Sequence, residues 1–244
     1  MPRFFVTKEQ IEDNIITIAN DDAHHIARSL RMAVGDVITV SDGCGTDHIC
    51  KLTRIRDEEC ECEITESRAS ESESPLFITL CMAYPKGDKL ETIIQKSVEL
   101  GASRILPFES SRCIKRPKAE KLDKQLQRLS RIALEAAKQC GRSRIPEILP
   151  PTSFSGMLKV AKDSDIALFC YENESGYSLK DAMNDNKDVS SVAVIVGSEG
   201  GFSEDEACEA TSAGCISVSL GKRILRCETA PSFVLSSISY NFEI

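Results

Sequence analysis

Residues 192–206 read VAVIVGSEGGFSEDE. The uniform apolar run Val192 to Val196 has the pattern of a strand buried on both faces. Gly197, Gly200 and Gly201 interrupt it, and Ser203 with Glu206 three residues on is a capping-box pattern that opens a helix. Strand, glycine loop and helix form the repeating unit of an α/β sheet, and such sheets bind ligands beyond the carboxyl ends of their strands. The glycines do not have the G-x-G-x-x-G spacing of a dinucleotide site, and Glu199 would repel a pyrophosphate, so the loop suits a ligand without phosphates. A glycine pair taken alone also fits an ordinary turn that needs positive φ.

Downstream, residues 217–231 read SVSLGKRILRCETAP. A strand, Ile216 to Leu220, runs into a short turn and then a last helix, Glu228 to Tyr240, with Pro231 tolerated in its first turn. Gly221-Lys222 is not a phosphate loop, since Arg223 stands where Ser or Thr is required. Arg223, Arg226, Glu228 and Thr229 read singly as surface charges and helix-start residues. Upstream, strands are predicted at Leu76 to Ala83, Arg104 to Phe108 and Ile166 to Tyr171. Asp88 and Glu91 resemble a capping pair for a helix showing Leu90, Ile93, Ile94 and Val98, stopped by Gly101. A long helix from about Ala119 to Cys140 buries Leu122, Leu126, Leu129, Ala133, Ala136 and Ala137, and another covers Ser203 to Ala213. This alternation implies an α/β fold with a largely parallel sheet covered on both faces.

The first 70 or so residues differ in pattern. Val37 to Val40 and Thr46 to Ile55 read as strands joined by a turn at Asp42-Gly43. A short helix precedes them, capped by Asp21 or Asp22, with Ile26, Leu30 and Ala33 or Val34 on one side. The Ser- and Glu-biased segment 67–75, SRASESESP, reads as a linker. It divides the chain into residues 1–72 and 73–244.

Composition excludes several classes. A 244-residue chain with 41% hydrophobic and 28% charged residues can bury a real core. It lacks the run of about 18 apolar residues needed to cross a bilayer, so no membrane partner is expected and the cytoplasm is the expected compartment. Eleven cysteines without a Cys-x-x-Cys read as reduced thiols rather than a disulfide framework, and no metal site is expected. The three histidines, His24, His25 and His48, lie too near the start to serve a triad among the later strands. The net charge of −8 is unevenly spread: residues 112–144 hold eleven Lys or Arg against three acids, and residues 57–74 hold eight acids against Arg68. The basic run reads either as a solvated helix face or as an RNA contact surface.

The pair VGSEGGFSEDE and LGKRILRCETA resembles the two cofactor loops of the ribosomal RNA uracil-N3 methyltransferases, a family of the SPOUT class. MPRFF, HHIARSLRMAVGD, KGDKLETIIQKSVELGASRILPF and EAAKQCGRSRIPEI extend the resemblance along most of the chain. Members often carry proline in place of Ser198 and threonine in place of Cys227. The resemblance implies an N-terminal PUA-like β-barrel and a C-terminal SPOUT domain with a trefoil knot, which general topology rules would not have suggested. It implies S-adenosyl-L-methionine as cofactor, 16S ribosomal RNA or the small ribosomal subunit as substrate, and a homodimer.

On this reading Gly197, Glu199, Gly200, Gly201, Leu220, Gly221, Ile224, Leu225, Arg226 and Thr229 hold the cofactor. Arg226 or Arg223 stabilises the anion formed at uridine N3, and Glu199 or Glu228 is the candidate base. Arg3, Arg28, Arg31, Arg112, Lys115, Arg116, Lys121, Lys124, Arg128, Arg131 and Arg142 are candidates to contact RNA. The alternatives are a non-catalytic RNA-binding protein, a related methyltransferase with another target nucleotide, and a nucleotide-dependent oxidoreductase or hydrolase, the last disfavoured by the missing phosphate cradle.

Overall fold

The computed structural model describes residues 1–114 and 119–244. It has two units, Met1–Glu73 with Ala137–Ile145, and Ser74–Ala136 with Pro146–Ile244.

The first unit contains β1 (Arg3–Phe5), β2 (Ile11–Glu12), β3 (Ile15–Ala19), α1 (Asn20–His24), β4 (Val37–Ser41), β5 (Thr46–Ile55) and β6 (Glu59–Ala69). The sheet order is β1-β4-β5-β6-β3-β2, antiparallel except for the parallel β1/β4 pair. Phe4 on β1 and Ile16 and Ile18 on β3 share one buried cluster with Ile38, Val40, Cys50, Leu52, Cys60 and Cys62 of the strands between them. Strands near opposite ends of a sheet can share a core only if the sheet curls around it. The turn between β4 and β5 is held by Asp42, whose Oδ1 accepts from the N–H groups of Cys44 at 2.7 Å and Thr46 at 3.0 Å.

Three local expectations fail here. Neither Asp21 nor Asp22 caps α1: the N-cap is Ala19, and both acids lie inside the first turn, where the macrodipole favours them. The helix also widens into a π-turn at His25–Ser29, and this change of pitch ends the expected apolar stripe. Ile26 reaches the core, while Leu30 and Val34 are exposed. The presumed linker starts later than expected. Ser67, Arg68 and Ala69 still belong to β6 and pair with His48, Asp47 and Thr46, so ladder hydrogen bonds to β5 override their polar composition.

The second unit contains β7 (Phe77–Ala83), α2 (Lys89–Glu99), β8 (Arg104–Glu109), α3 (Leu122–Cys140), β9 (Glu147–Ile148), β10 (Thr152–Ser153), α4 (Phe154–Ala161), β11 (Ile166–Cys170), α5 (Leu179–Asp185), β12 (Ser191–Val196), α6 (Glu204–Ser212), β13 (Ile216–Val218) and α7 (Thr229–Phe242). Its strands run in the order β10-β8-β7-β12-β11-β13, with β9 also on β8, and every pair is parallel. Residues of β11 and of β12 from Val192 on are buried, as a doubly covered parallel sheet requires. After the edge strand β13 the chain doubles back, and α7 packs on α2 and on the central strand β12.

The capping box at Ser203 and Glu206 is present. Asp88 takes the N-cap position of α2 but its side chain makes no cap bond, and Glu91 pairs with Arg128 instead. On α3, Leu129, Ala133, Ala136 and Ala137 are buried, whereas Leu122 and Leu126 are half-buried. β13 ends at Val218, two residues earlier than expected, which frees Leu220 for the loop beyond it.

Candidate active site

The site lies at the carboxyl ends of β11, β12 and β13, where each strand gives way to a loop. Phe202 follows the glycine loop and is buried against Phe169, Phe154 and Phe108, with ring centroids 4.3, 6.2 and 6.4 Å away. This aromatic anchor fixes one end of the loop. Within it, Gly201 N–H donates to the Ser198 carbonyl at 3.0 Å, closing a tight turn. Gly201 itself has φ +63°, the left-handed region that favours glycine, and a Cβ there would also stand 1.9 Å from Oε1 of the exposed Glu172 side chain, which would have to move aside. The buried carboxylate of Glu206 ties the far end of the loop to a neighbour: it accepts from Ser203 N at 2.9 Å and from Ser111 N at 2.7 Å.

Together these loops enclose a cavity of about 560 Å³. Its lining includes Gly197, Glu199, Gly200, Gly201, Leu220, Gly221, Arg223, Ile224, Leu225, Arg226 and Glu228, so the two glycine loops read from the sequence meet at one place. Thr229 is not part of that lining and is exposed; Ala230 takes its place.

Lys89, at the start of α2, was not anticipated. Its ammonium lies 3.1 Å from Glu199 Oε1 and 3.1 Å from Glu228 Oε2, so one cation joins both loops. Hydrogen bonds to the two carboxylates raise its pKa. Burial pushes Glu199 up, but its own backbone N–H, Lys89 and the Lys86 N–H outweigh that and hold it below its usual value. Glu228 is lowered chiefly by its own backbone N–H, against a smaller effect of burial, with Cys227 and Lys89 adding to the lowering. Burial, then the neighbouring Glu228, pushes the Cys227 thiol up to about 12, so it is neutral and no nucleophile at physiological pH. Glu172 and Tyr171, beyond β11, and Ser219, beyond β13, were also missed. The general rule that strand ends line the site would have pointed to them.

The basic candidates separate. Arg3 is committed to Asp47 and Ser41, and Arg142 is buried against Glu73; both hold the first unit together. Arg28 pairs with Asp57 and Arg128 with Glu91 on exposed surface. Arg112 donates to the Gly200 carbonyl at 3.0 Å, inside the glycine loop. Arg31, Lys121, Lys124 and Arg131 are exposed, with no ion-pair partner among the described residues. Lys115 and Arg116 lie outside the described residues.

Residues 72–239 match the model of a family described as RNA methyltransferase domain, and residues 18–65 match the RNA methyltransferase PUA domain. The ribosomal RNA small subunit methyltransferase E of Bacillus subtilis is 35% identical over all of this chain and 98% of its own length. Among solved structures, the enzyme of that name from Neisseria gonorrhoeae, bound to S-adenosyl methionine, is 33% identical with a TM-score of 0.84, covering 98% of this chain and 97% of its own. A methyltransferase of Legionella pneumophila in complex with bound SAM is 30% identical, covers 98% of this chain and 96% of its own, and has a TM-score of 0.85. A parallel sheet with two glycine loops at its strand ends, in a chain that also carries a curled PUA-type sheet, defines an RNA methyltransferase of the SPOUT class. Within that class, the chain belongs to the family of ribosomal RNA small subunit methyltransferase E.

Proposed function

We propose that this chain transfers a methyl group from S-adenosyl-L-methionine to N3 of one uridine in the 16S ribosomal RNA of the small ribosomal subunit, as a cytoplasmic homodimer. The observation that carries this reading is the meeting of both glycine loops around one cavity with exposed arginines at its rim.

The residues present fit the cofactor. A volume of about 560 Å³ falls within the roughly 300–1,000 Å³ of small-molecule sites. Nothing in the lining resembles a phosphate cradle, and the buried Ser198 Oγ has no hydrogen-bond partner among the described residues, as a wall awaiting a polar ligand would have. Gly197 to Gly201 and Leu220 to Arg226 would hold the ligand. When bound, the sulfonium supplies an electrophilic methyl group.

The chain's own contribution is placement of the acceptor nitrogen, exclusion of water and stabilisation of charge. Arg223 and Arg226 are exposed and have no ion-pair partner among the described residues, so they are available to the oxygens that share the negative charge of an N3 anion. Glu199 and Glu228 stay ionised at neutral pH, but their lowered pKa values make them weak proton acceptors. Their better-supported task is to hold Lys89 and the two loops.

For RNA, exposed Arg31, Lys121, Lys124 and Arg131 supply phosphate contacts, joined by Arg28 and Arg128, whose surface pairs exchange readily. The homodimer is supported by exposed Ile224, Phe233 and Tyr240, which a second copy would cover. No helix among the described residues is long and apolar enough to cross a membrane.

The test is incubation with methyl-labelled cofactor and either unmodified 16S RNA or assembled small subunits, followed by nucleoside mass spectrometry. The expected product is 3-methyluridine at one position. Label on another base or on ribose, or no transfer to either substrate, overturns the reading.

A further inference from the structure

Three carboxylates line the cavity, those of Glu172, Glu199 and Glu228. Glu199 and Glu228 are both taken up by Lys89 at 3.1 Å. Glu172 differs: it makes no hydrogen bond or ion pair among the described residues, although Lys222, Arg223 and Arg226 share the same lining. Its carboxylate approaches Gly201 so closely that a Cβ at that glycine would be 1.9 Å from Oε1, 2.6 Å from Cδ and 2.9 Å from Oε2. A carboxylate without an ion-pair partner among the described residues thus lies beside one ligand-binding loop, carried by the turn just past β11. A carboxylate in that position lowers the free energy of a cation in the cavity more than that of a neutral ligand of the same shape.

We propose that Glu172 is a specificity residue that favours the methyl-bearing cofactor over the demethylated product. The inference rests on the proposed function above. The two ligands share adenosine and amino-acid parts and differ at sulfur: the cofactor carries a sulfonium cation, and loss of the methyl to the acceptor leaves a neutral thioether. Glu172 therefore stabilises the loaded state before transfer and loses its electrostatic partner afterwards, which aids exchange of product for fresh cofactor. Because the carboxylate is exposed, solvent screens the effect.

Calorimetry at low salt tests this with three ligands: S-adenosylmethionine, S-adenosylhomocysteine, and the analogue bearing a protonated amine in place of the sulfonium. Glu172→Gln keeps the shape and removes the charge, and the missing native bonds make it safe for folding. It is expected to weaken the two cationic ligands by about three- to fivefold and the thioether by less than twofold. Glu172→Asp retains the charge and should keep the preference. An equal loss for all three ligands overturns the proposal by assigning Glu172 to their common part, and so does no change for any. Wild-type protein that binds none of the three overturns the proposed function, and this inference with it.

Discussion

Lys89 pairs with Glu199 at 3.1 Å across the mouth of the cavity, and the same ammonium holds Glu228. Replacing it by methionine leaves two carboxylates facing each other without a cation. Affinity for S-adenosylmethionine at pH 7 should fall by roughly three- to tenfold in Lys89→Met. The pH dependence is the sharper readout. In the wild type both carboxyls are held below their ordinary value, so they stay ionised and affinity is flat from pH 7 to 5. In the variant one carboxyl rises, its protonation relieves the repulsion, and affinity should recover as pH falls. Parallel profiles for the two proteins would show that the bridge does not organise the site.

Gly201 in the cavity wall adopts a left-handed backbone conformation, with φ +63°. Gly201→Ala should cost about 1–2 kcal/mol of stability from the left-handed conformation alone, measured by urea unfolding. Gly201→Val adds bulk where Glu172 lies and should abolish cofactor binding while far-ultraviolet circular dichroism stays native. Unchanged affinity in the valine variant would move the site elsewhere.

Asp47 ties β5 to the N-terminal strand: its carboxylate accepts from Arg3 at 2.5 and 3.0 Å and from Ser41 Oγ at 2.6 Å. Burial raises its pKa, but the hydrogen bonds from Arg3 and Ser41 and the Arg3 charge outweigh it, so the net shift is downward. A lowered carboxyl contributes stability above its unfolded value near 3.9 and loses it as pH falls through the lower folded value. Asp47→Asn leaves the partly buried Arg3 without a counter-charge and should cost about 2 kcal/mol at pH 7, less than a fully buried pair because solvent reaches the guanidinium. The deficit should shrink as pH falls below about 4. A deficit that is constant between pH 7 and 3 would refute the ion-pair account.

Lys121 and Lys124 are exposed on and before α3, free of ion pairs among the described residues. Converting both to alanine should reduce the log-log salt slope of RNA binding by roughly one to two units and leave cofactor affinity unchanged. Arg142→Ala is the contrasting control. It removes a buried partner of Glu73 and should lower stability of the N-terminal unit by about 3 kcal/mol. If the double lysine variant keeps both affinity and slope, this helix face is only solvated.

The strand through Val196, the capping box at Ser203 and Glu206, the Asp42 turn and the missing phosphate spacing could all be read from the chain, because each depends on residues within a few positions of one another. Where local signals competed, tertiary contacts decided. The π-turn at His25–Ser29 ended an apolar stripe that looked continuous, and strand pairing drew Ser67 to Ala69 out of an apparent linker.

By itself, then, the sequence determined the two glycine loops and the α/β alternation, since periodicity and glycine placement are local properties of the backbone. Only the tertiary structure decided that Lys89 would bridge Glu199 and Glu228, that Glu172 would lie over Gly201, and that Arg3 and Arg142 would be spent on Asp47 and Glu73 rather than left for RNA. The order of parallel strands brings the ends of β11, β12 and β13 together, and long crossovers set that order. No local pattern encodes which distant charge will stand opposite a given side chain.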